Sequence, residues 1–455
     1  MSGTFSSLSN ALSALRYNRV AMDVASGNVA NAGTEGYTRR VATAQSVGAP
    51  AVPALWSRWD GAGAGVEVGG VERMVDPLLD ARSRTEHASR SFLDARATSL
   101  VRLETALGEP GDNGIAAALA AFKQGWHDVA NNPGDGAARS QLLARGKTLA
   151  AAVSSQARSV TAEWSDQRTR LDALAVEANT VAADLAKLNE GLRVAYVAGT
   201  DAGTLLDRRD MLTMRLAELT GAAVTVNDDN TVDVRVAGEL VVDGDTSNAI
   251  SVSGSADLAG AATDPVLVSI NGQAVSLGAG EVGAAQDLLA DDLPDFLARL
   301  DTFVGTLAAA VNAQHQQGVD LDGATNADFF SGTTAASLQV ALTGPRQVAA
   351  AGAGRGALDG SNADALGTLD LGAAAYRTLV TDFGVEVSSA RRVAENQGIL
   401  TAQVDSSREA LSGISIDEEM VTLLAAQRAY EGAARVMTAL DSVLDTLINR
   451  TGLLR

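Results

Sequence analysis

The side chains that could do chemistry are few and scattered. Three histidines, His87, His127 and His315, fall in separate helical stretches, without an H-E-x-x-H or H-x-x-H spacing. They read as packing or surface residues. No cysteine occurs, which removes thiolate nucleophiles, thiolate zinc sites, iron–sulfur clusters and disulfides. The loop Gly318-Val319-Asp320-Leu321-Asp322-Gly323 alternates aspartates as calcium loops do, but the rest of the EF-hand pattern and its terminal glutamate are missing. Asp228, Asp229 and Asp243 read as turn residues. Gly61, Gly63 and Gly65 lead into Val66-Glu67-Val68 rather than a helix, so they read as a bend and not as a phosphate cradle. No nucleophile–base pair emerges. No catalytic residue, cofactor or metal is expected.

The bulk properties narrow the field further. Lys+Arg is 35 and Asp+Glu is 55, and 35 − 55 = −20 over 455 residues. Such a field repels nucleic-acid phosphates and anionic membranes. The length predicts about three domains. The hydrophobic share of 46% is that of a folded chain, and the aromatic share of 4% favours slender helix-on-helix packing over large cores. No uninterrupted apolar run reaches roughly 18 residues, and the first residues carry neither an early positive charge nor an apolar core. Neither a membrane-spanning helix nor a cleavable signal peptide is expected.

What remains are elements with strong periods. Phe5, Leu8, Leu12, Leu15, Arg19, Met22, Ser26 and Val29 recur at alternating spacings of 3 and 4, a heptad seam. At the other end, Ile416, Met420, Leu423, Gln427, Tyr430, Ala434, Met437, Asp441, Leu444 and Ile448 do the same, after the capping box Ser415-Ile416-Asp417-Glu418. Each stripe is one residue wide and cannot bury itself. The two ends are therefore expected to pair, and the pairs to bundle with copies of themselves. Between them, helices are predicted over 77–107, 115–130, 137–198, 202–220, 285–317 and 363–411, the last broken near Gly367, Gly372 and Gly384. Strands are predicted at 223–226, 232–236 and 240–242, with a hairpin of 266–270 and 274–277 about Asn271-Gly272.

The expected fold is mainly α. It is an elongated multidomain rod of coiled-coil-like terminal helices and a long-helix bundle, with a small inserted antiparallel β domain. The expected division is 1–45 plus 413–455 as paired terminal helices, 46–220 plus 281–412 as a helical middle domain, and 221–280 as the β insertion. The candidate assembly interface comprises Leu8, Leu12, Leu15, Met22, Val29, Asn31, Gly36, Tyr37, Met420, Leu423, Gln427, Tyr430, Ala434, Met437, Leu444 and Ile448.

Several stretches resemble a known family. Asn28-Val29-Ala30-Asn31-Ala32-Gly33-Thr34-Glu35-Gly36-Tyr37-Thr38-Arg39 fits N-x-A-N-x-x-T-x-G-Y-[ST]-R, and resembles the N-terminal signature of bacterial flagellar axial proteins, the rod, hook and hook-associated proteins. Glu418-Glu419-Met420, Leu423, Gln427, Ala429-Tyr430 and Ala433-Ala434-Arg435 resemble the matching C-terminal helix. Leu205-Leu206-Asp207-Arg208-Arg209-Asp210, the stretch from Val311 to Gly318 with Phe329-Phe330, and Pro133 with Arg139 resemble the hook-associated branch. Only the weakly patterned residues 331–362 separate Phe330 from the next predicted helix, so the extra outer domain of larger members is expected to be absent.

The resemblance implies a structural subunit without enzymatic activity. Its terminal helices would line an inner tube, its helical middle would pack around the tube, and its β insertion would face outward. It implies export by the flagellar type III apparatus without a cleaved signal, and an extracellular place in the flagellum. The implied partners are copies of itself in a ring, the hook protein, hook-associated protein 3, and an export chaperone on the C-terminal helix, with no nucleic acid and no membrane. The alternative is another axial protein, such as the hook protein or hook-associated protein 3 itself.

Overall fold

The structure, a computed structural model, describes residues 2–47, 65–446 and 449, with side chains from residue 7 onward. The side chain of Phe5, the bend at Gly61 to Ala64, and Ile448 lie outside the described residues. The fold is mainly α, as expected, with long helices and small antiparallel sheets.

Helix α1 (Ser2–Ala30) leads through a turn into strand β1 (Arg40–Ser46), which pairs antiparallel with β2 (Val66–Arg73). Helix α2 (Pro77–Leu107) starts where Asp76 accepts hydrogen bonds from the Leu78 and Leu79 amides at 2.9 and 3.3 Å, with proline in the first turn. Helix α3 (Ile115–Asn131) precedes α4 (Gly136–Ala198), whose 63 residues reach ~95 Å at ~1.5 Å per residue. Helix α5 (Gly203–Thr220) closes this half.

The β segment forms two small sheets. One holds β3 (Ala223–Val226), β4 (Val232–Val236), β5 (Glu239–Asp243) and β6 (Thr246–Ser247) in that order. The other holds β7 (Ile250–Ser253), β8 (Leu267–Ile270) and β9 (Gln273–Val275), with a four-residue helix α6 (Leu258–Ala261) in the β7–β8 connection. Asn271 and Gly272 take φ of +54° and +77°, the left-handed pair that the hairpin turn requires.

Helix α7 (Gly280–Asp287), a π-turn over Leu288–Asp292 and α8 (Leu293–His315) run on without a break in the chain, where one helix from 285 was predicted. Short ladders follow: β10 (Gly318–Val319) with β13 (Ala351–Gly352), and β11 (Phe330–Ser331) with β12 (Gln339–Val340). The last three helices are α9 (Ser361–Thr368), α10 (Ala373–Ser412) and α11 (Ile416–Asp445). Of the three breaks predicted in 363–411, those near Gly367 and Gly372 are one interruption, between the end of α9 at Thr368 and the start of α10 after Gly372 at φ +73°. Gly384 stays inside α10. A lone helical glycine costs only ~1 kcal/mol against alanine, and buried Phe383 and Val387 hold the turn on either side.

Helix α4 threads two cores. In the first, its Val160, Trp164, Leu171 and Leu185 pack with Leu100, Leu103, Leu216, Phe383 and the inward strand residues Val232, Val234, Val242, Val268 and Ile270. In the second, its Leu142, Leu149 and Val153 pack with Leu300, Val304, Val311 and an aromatic group of Phe122, Trp126, Phe329 and Phe330. His315 joins that group, 5.7 Å from Phe329 between ring centroids. It is fully buried, with Nδ1 2.7 Å from the Ala327 carbonyl and Nε2 accepting from the Ala349 amide at 2.9 Å. The β segment leaves and re-enters the helical chain at adjacent points, Gly221 beside Ala279. Its inward valines belong to the first helical core, so the strands and helices share one interior.

The aspartate loop is occupied by its own chain. Asp320 Oδ1 accepts from the Asp322 and Ala324 amides at 2.8 Å, and the Asp322 carboxylate pairs with Arg346. Among the described residues no group of three or more His, Asp or Glu is arranged to hold a metal.

Candidate assembly site

The two chain ends pair: α1 and α11 pack side by side. The contact is lined by small side chains. Among the described residues, Ala11, Ala25 and Asn28 are the buried ones of α1, at heptad-related spacings, and Glu419 and Ala426 those of α11. On α1 the predicted seam lies one position away, whereas on α11 Leu423, Met437 and Leu444 continue, at spacings of three and four, the face of Glu419 and Ala426. On α1, Leu12 is 41% exposed, and Leu8, Leu15, Met22 and Val29 are half-buried. On α11, Leu423, Ala434, Met437 and Leu444 are half-buried, while Met420, Gln427 and Tyr430 are exposed. One residue along a helix is a rotation of about 100°. Alanine lets two helices approach closely. The intrachain pair therefore combines alanines with Leu423, Met437 and Leu444 and leaves Val421, Leu424, Val436 and Val443, on the other side of α11, uncovered.

At the base of the pair the signature residues form a knot. Helix α1 ends in a turn where Asn31 Nδ2 donates to the Gly27 carbonyl at 2.8 Å and the Thr34 amide to the Asn31 carbonyl at 2.9 Å. Gly36 takes φ +77°, a conformation that favours glycine, and a Cβ there would have to displace the Met211 side chain. The chain then doubles back. The Tyr37 hydroxyl and the Arg40 amide both donate to Asn28 Oδ1 at 3.1 Å. Asn28 Nδ2 donates to the Arg40 carbonyl at 2.8 Å and to Glu419 Oε2 at 2.9 Å. Arg39 Nε donates to Glu419 Oε1 at 2.8 Å, and its amide to the Ser412 carbonyl at 3.0 Å. Every polar atom of the Asn28 side chain is thereby used. Burial pushes the Tyr37 phenol above its ordinary value, opposed by the neighbouring Arg40, which sits 5.0 Å over its ring.

A second network ties this knot to the helical middle. Arg40 Nη2 and Arg73 Nε each donate to Asp207 at 2.9 Å, and Arg73 Nη2 donates to Asp210 at 2.6 Å and to Thr38 Oγ1 at 3.0 Å. Arg209 also bonds Asp210, at 2.8 Å. The L-L-D-R-R-D stretch is thus the socket in which the β1–β2 hairpin is seated on α5.

Of the predicted site residues, Asn31, Gly36 and Tyr37 meet in the knot. Of the apolar ones, Leu423, Met437 and Leu444 fall on the face of α11 that carries its buried residues, while Leu12 and Met420 are exposed. Five residues that the sequence reading left out of the site carry the junction: Asn28, Arg39, Arg40, Asp207 and Glu419. Each stands inside a quoted motif or beside one.

Comparisons with known proteins agree with this layout. Residues 8–38 match the family model for flagella basal body rod proteins, and residues 408–450 match the model for the C-terminal part of the flagellar basal body rod FlgEFG proteins. With the paired ends and the knot between them, they define a flagellar axial protein. Residues 100–330, half of the chain, match the model for the flagellar hook-associated protein FlgK helical domain, and the chain belongs to that family. Flagellar hook-associated protein 1 of Bacillus subtilis (strain 168) is 27% identical over 503 aligned residues, covering 99% of both chains. Its counterpart in Escherichia coli (strain K12) is 23% identical, covering 97% of this chain and 99% of that one. The solved flagellar hook junction protein FlgK from Burkholderia pseudomallei shares the fold, with a TM-score of 0.65 at 16% identity over 74% of this chain and 100% of that one. The protein is a structural component of the bacterial flagellum.

Proposed function

We propose that this chain builds the junction between hook and filament as a ring of identical subunits, held together through its terminal helices. The observation that carries this is the uncovered apolar flank of the terminal pair. Met420 is 44% and Val421 67% exposed, and Leu424, Val436 and Val443 lie open on the same side of α11; Leu12 on α1 is exposed as well. Apolar surface is worth roughly 25 cal/mol per Å² when removed from water, so a flank of this kind favours association. On this reading residues 1–45 with 413–455 line the inner tube, 46–220 with 281–412 form the surrounding helical domain, and 221–280 face outward. The hook protein lies below the ring and hook-associated protein 3 above it. An export chaperone covers the C-terminal helix before assembly, the chain leaves the cell by the flagellar export route without losing a signal peptide, and it catalyses no reaction.

The test uses Val421→Asp with Leu424→Asp in a strain lacking its own copy. Both side chains are exposed, so the subunit should fold and be exported, but filaments should not stay attached to the hook. Attached filaments with normal motility, in cells that export the variant, overturn the reading.

A further inference from the structure

The three helices that carry the terminal pair meet at one imidazole. His87 on α2 has Nδ1 3.3 Å from Glu218 Oε1 on α5, and Nε2 3.0 Å from both carboxylate oxygens of Asp405 on α10. Carboxylates accept hydrogen bonds and do not donate them, and an imidazole donates from both nitrogens only when it is protonated. The two carboxylates stand on opposite sides of the ring, so no single metal ion could use both together with a ring nitrogen. The position matters. Helix α2 enters directly from the β1–β2 hairpin, and α10 ends seven residues after Asp405, where the chain passes to α11.

We propose that His87 is a proton-dependent clamp at the neck of the subunit: protonated, it binds the end of α10 and the end of α5 to α2; deprotonated, it lets the last turns of α10 loosen, and with them the seating of the terminal pair. The other groups around it do not replace it. On α2, Ser83 Oγ donates to Asp405 at 3.2 Å, Glu86 is engaged by Gln397 of α10 at 2.6 Å, and Asp80 by Arg408 at 2.7 Å. On α5, Arg215 shares Glu218 with His87 and also bonds Glu177 of α4 and Glu281 of α7. Without its proton His87 can donate to one carboxylate only, and the other faces a lone pair. The hydrogen bond to Glu218 leads the forces that raise the His87 pKa, with Asp405 adding to it and burial opposing both. The same bond holds Glu218 below its ordinary value. A folded-state value raised above the unfolded one means that the clamp is complete below the unfolded pKa and is lost as pH rises through the folded one.

The experiment is amide hydrogen exchange on the full chain between pH 6 and 9, corrected for the intrinsic rate. Protection of α10 amides beyond Thr401 should fall on going to high pH, up to tenfold for each unit of the His87 shift, while α3 amides in the second core hold steady. In His87→Gln the α10 amides should show no such pH dependence. Asp405→Asn, which keeps the imidazole, should move the midpoint to lower pH. Unchanged α10 protection across the range in the natural chain, or the same fall in His87→Gln, overturns the clamp.

Discussion

Asn28 near the end of the first helix and Glu419 near the start of the last are 391 residues apart in the chain and 2.9 Å apart in space. Their hydrogen bond is buried. It also fixes the register of the terminal pair, because Asn28 is simultaneously bound to the returning segment at Tyr37 and Arg40. A slide of α11 by one turn would leave Glu419 without its amide partner.

Removing that partner should undock the pair. In Asn28→Ala the Glu419 carboxylate, 3% exposed, keeps Arg39 but loses its other donor. A buried polar group left unsatisfied costs about 1–3 kcal/mol. Limited proteolysis of the monomer should then cut α11 faster than in the natural chain, while the helical middle resists as before. Equal cutting of α11 in both would show that the bond does not set the pairing.

The socket on α5 should be more sensitive than any surface pair. Asp207→Ala leaves Arg40 and Arg73, both mostly buried, without their shared carboxylate. Breaking a buried ion pair from one side costs about 3–5 kcal/mol. Asp322→Ala, which only frees the solvent-exposed Arg346, should leave the melting temperature nearly unchanged. Thermal melts of the two variants, compared with the natural chain, check the ordering.

Replacing residues 221–280 by a short linker should destroy the cooperative melt of the helices, although the ends of the segment already touch. Val232, Val234, Val242, Val268 and Ile270 pack with Leu185 and Leu216, and each such side chain is worth about 1.5–3 kcal/mol when fully buried. Their loss opens one side of the first core. Circular dichroism that retains a sharp helical transition would mean that the helices close that side on their own.

Stability should fall as pH drops from 8 towards 5.5 in a His87→Gln background. Burial holds the His315 pKa below its ordinary value, and its Nε2 must stay unprotonated to accept from the Ala349 amide. The unfolded imidazole takes up a proton below about 6.5 and the folded one does not, so the unfolded state binds more protons there and stability declines with falling pH. His87 has the opposite sign and is removed for that reason. Denaturant midpoints that rise as pH falls through this window contradict the assignment.

Much of this protein was legible in its residues. The alternating 3 and 4 spacings at both ends, Asp76-Pro77 before α2, the long glycine-poor run of α4 and the Asn-Gly hairpin are local patterns, and local geometry alone turns them into elements. The signature around Asn28 to Arg39 and the L-L-D-R-R-D stretch pointed to the family. What the chain could not declare was which flank of α1 faces its own partner. On α1 the set holding Ala11 and Ala25 and the set holding Leu12 and Ser26 share one seven-residue period, and a period is blind to that choice of phase. Only packing decides it, since close approach favours the alanine side and register is set by Asn28 meeting Glu419. The same holds for Asp207 and for the strand valines. Their partners lie on elements far away in sequence, so their roles exist only once the tertiary fold brings Arg40, Arg73 and the α4 core to them.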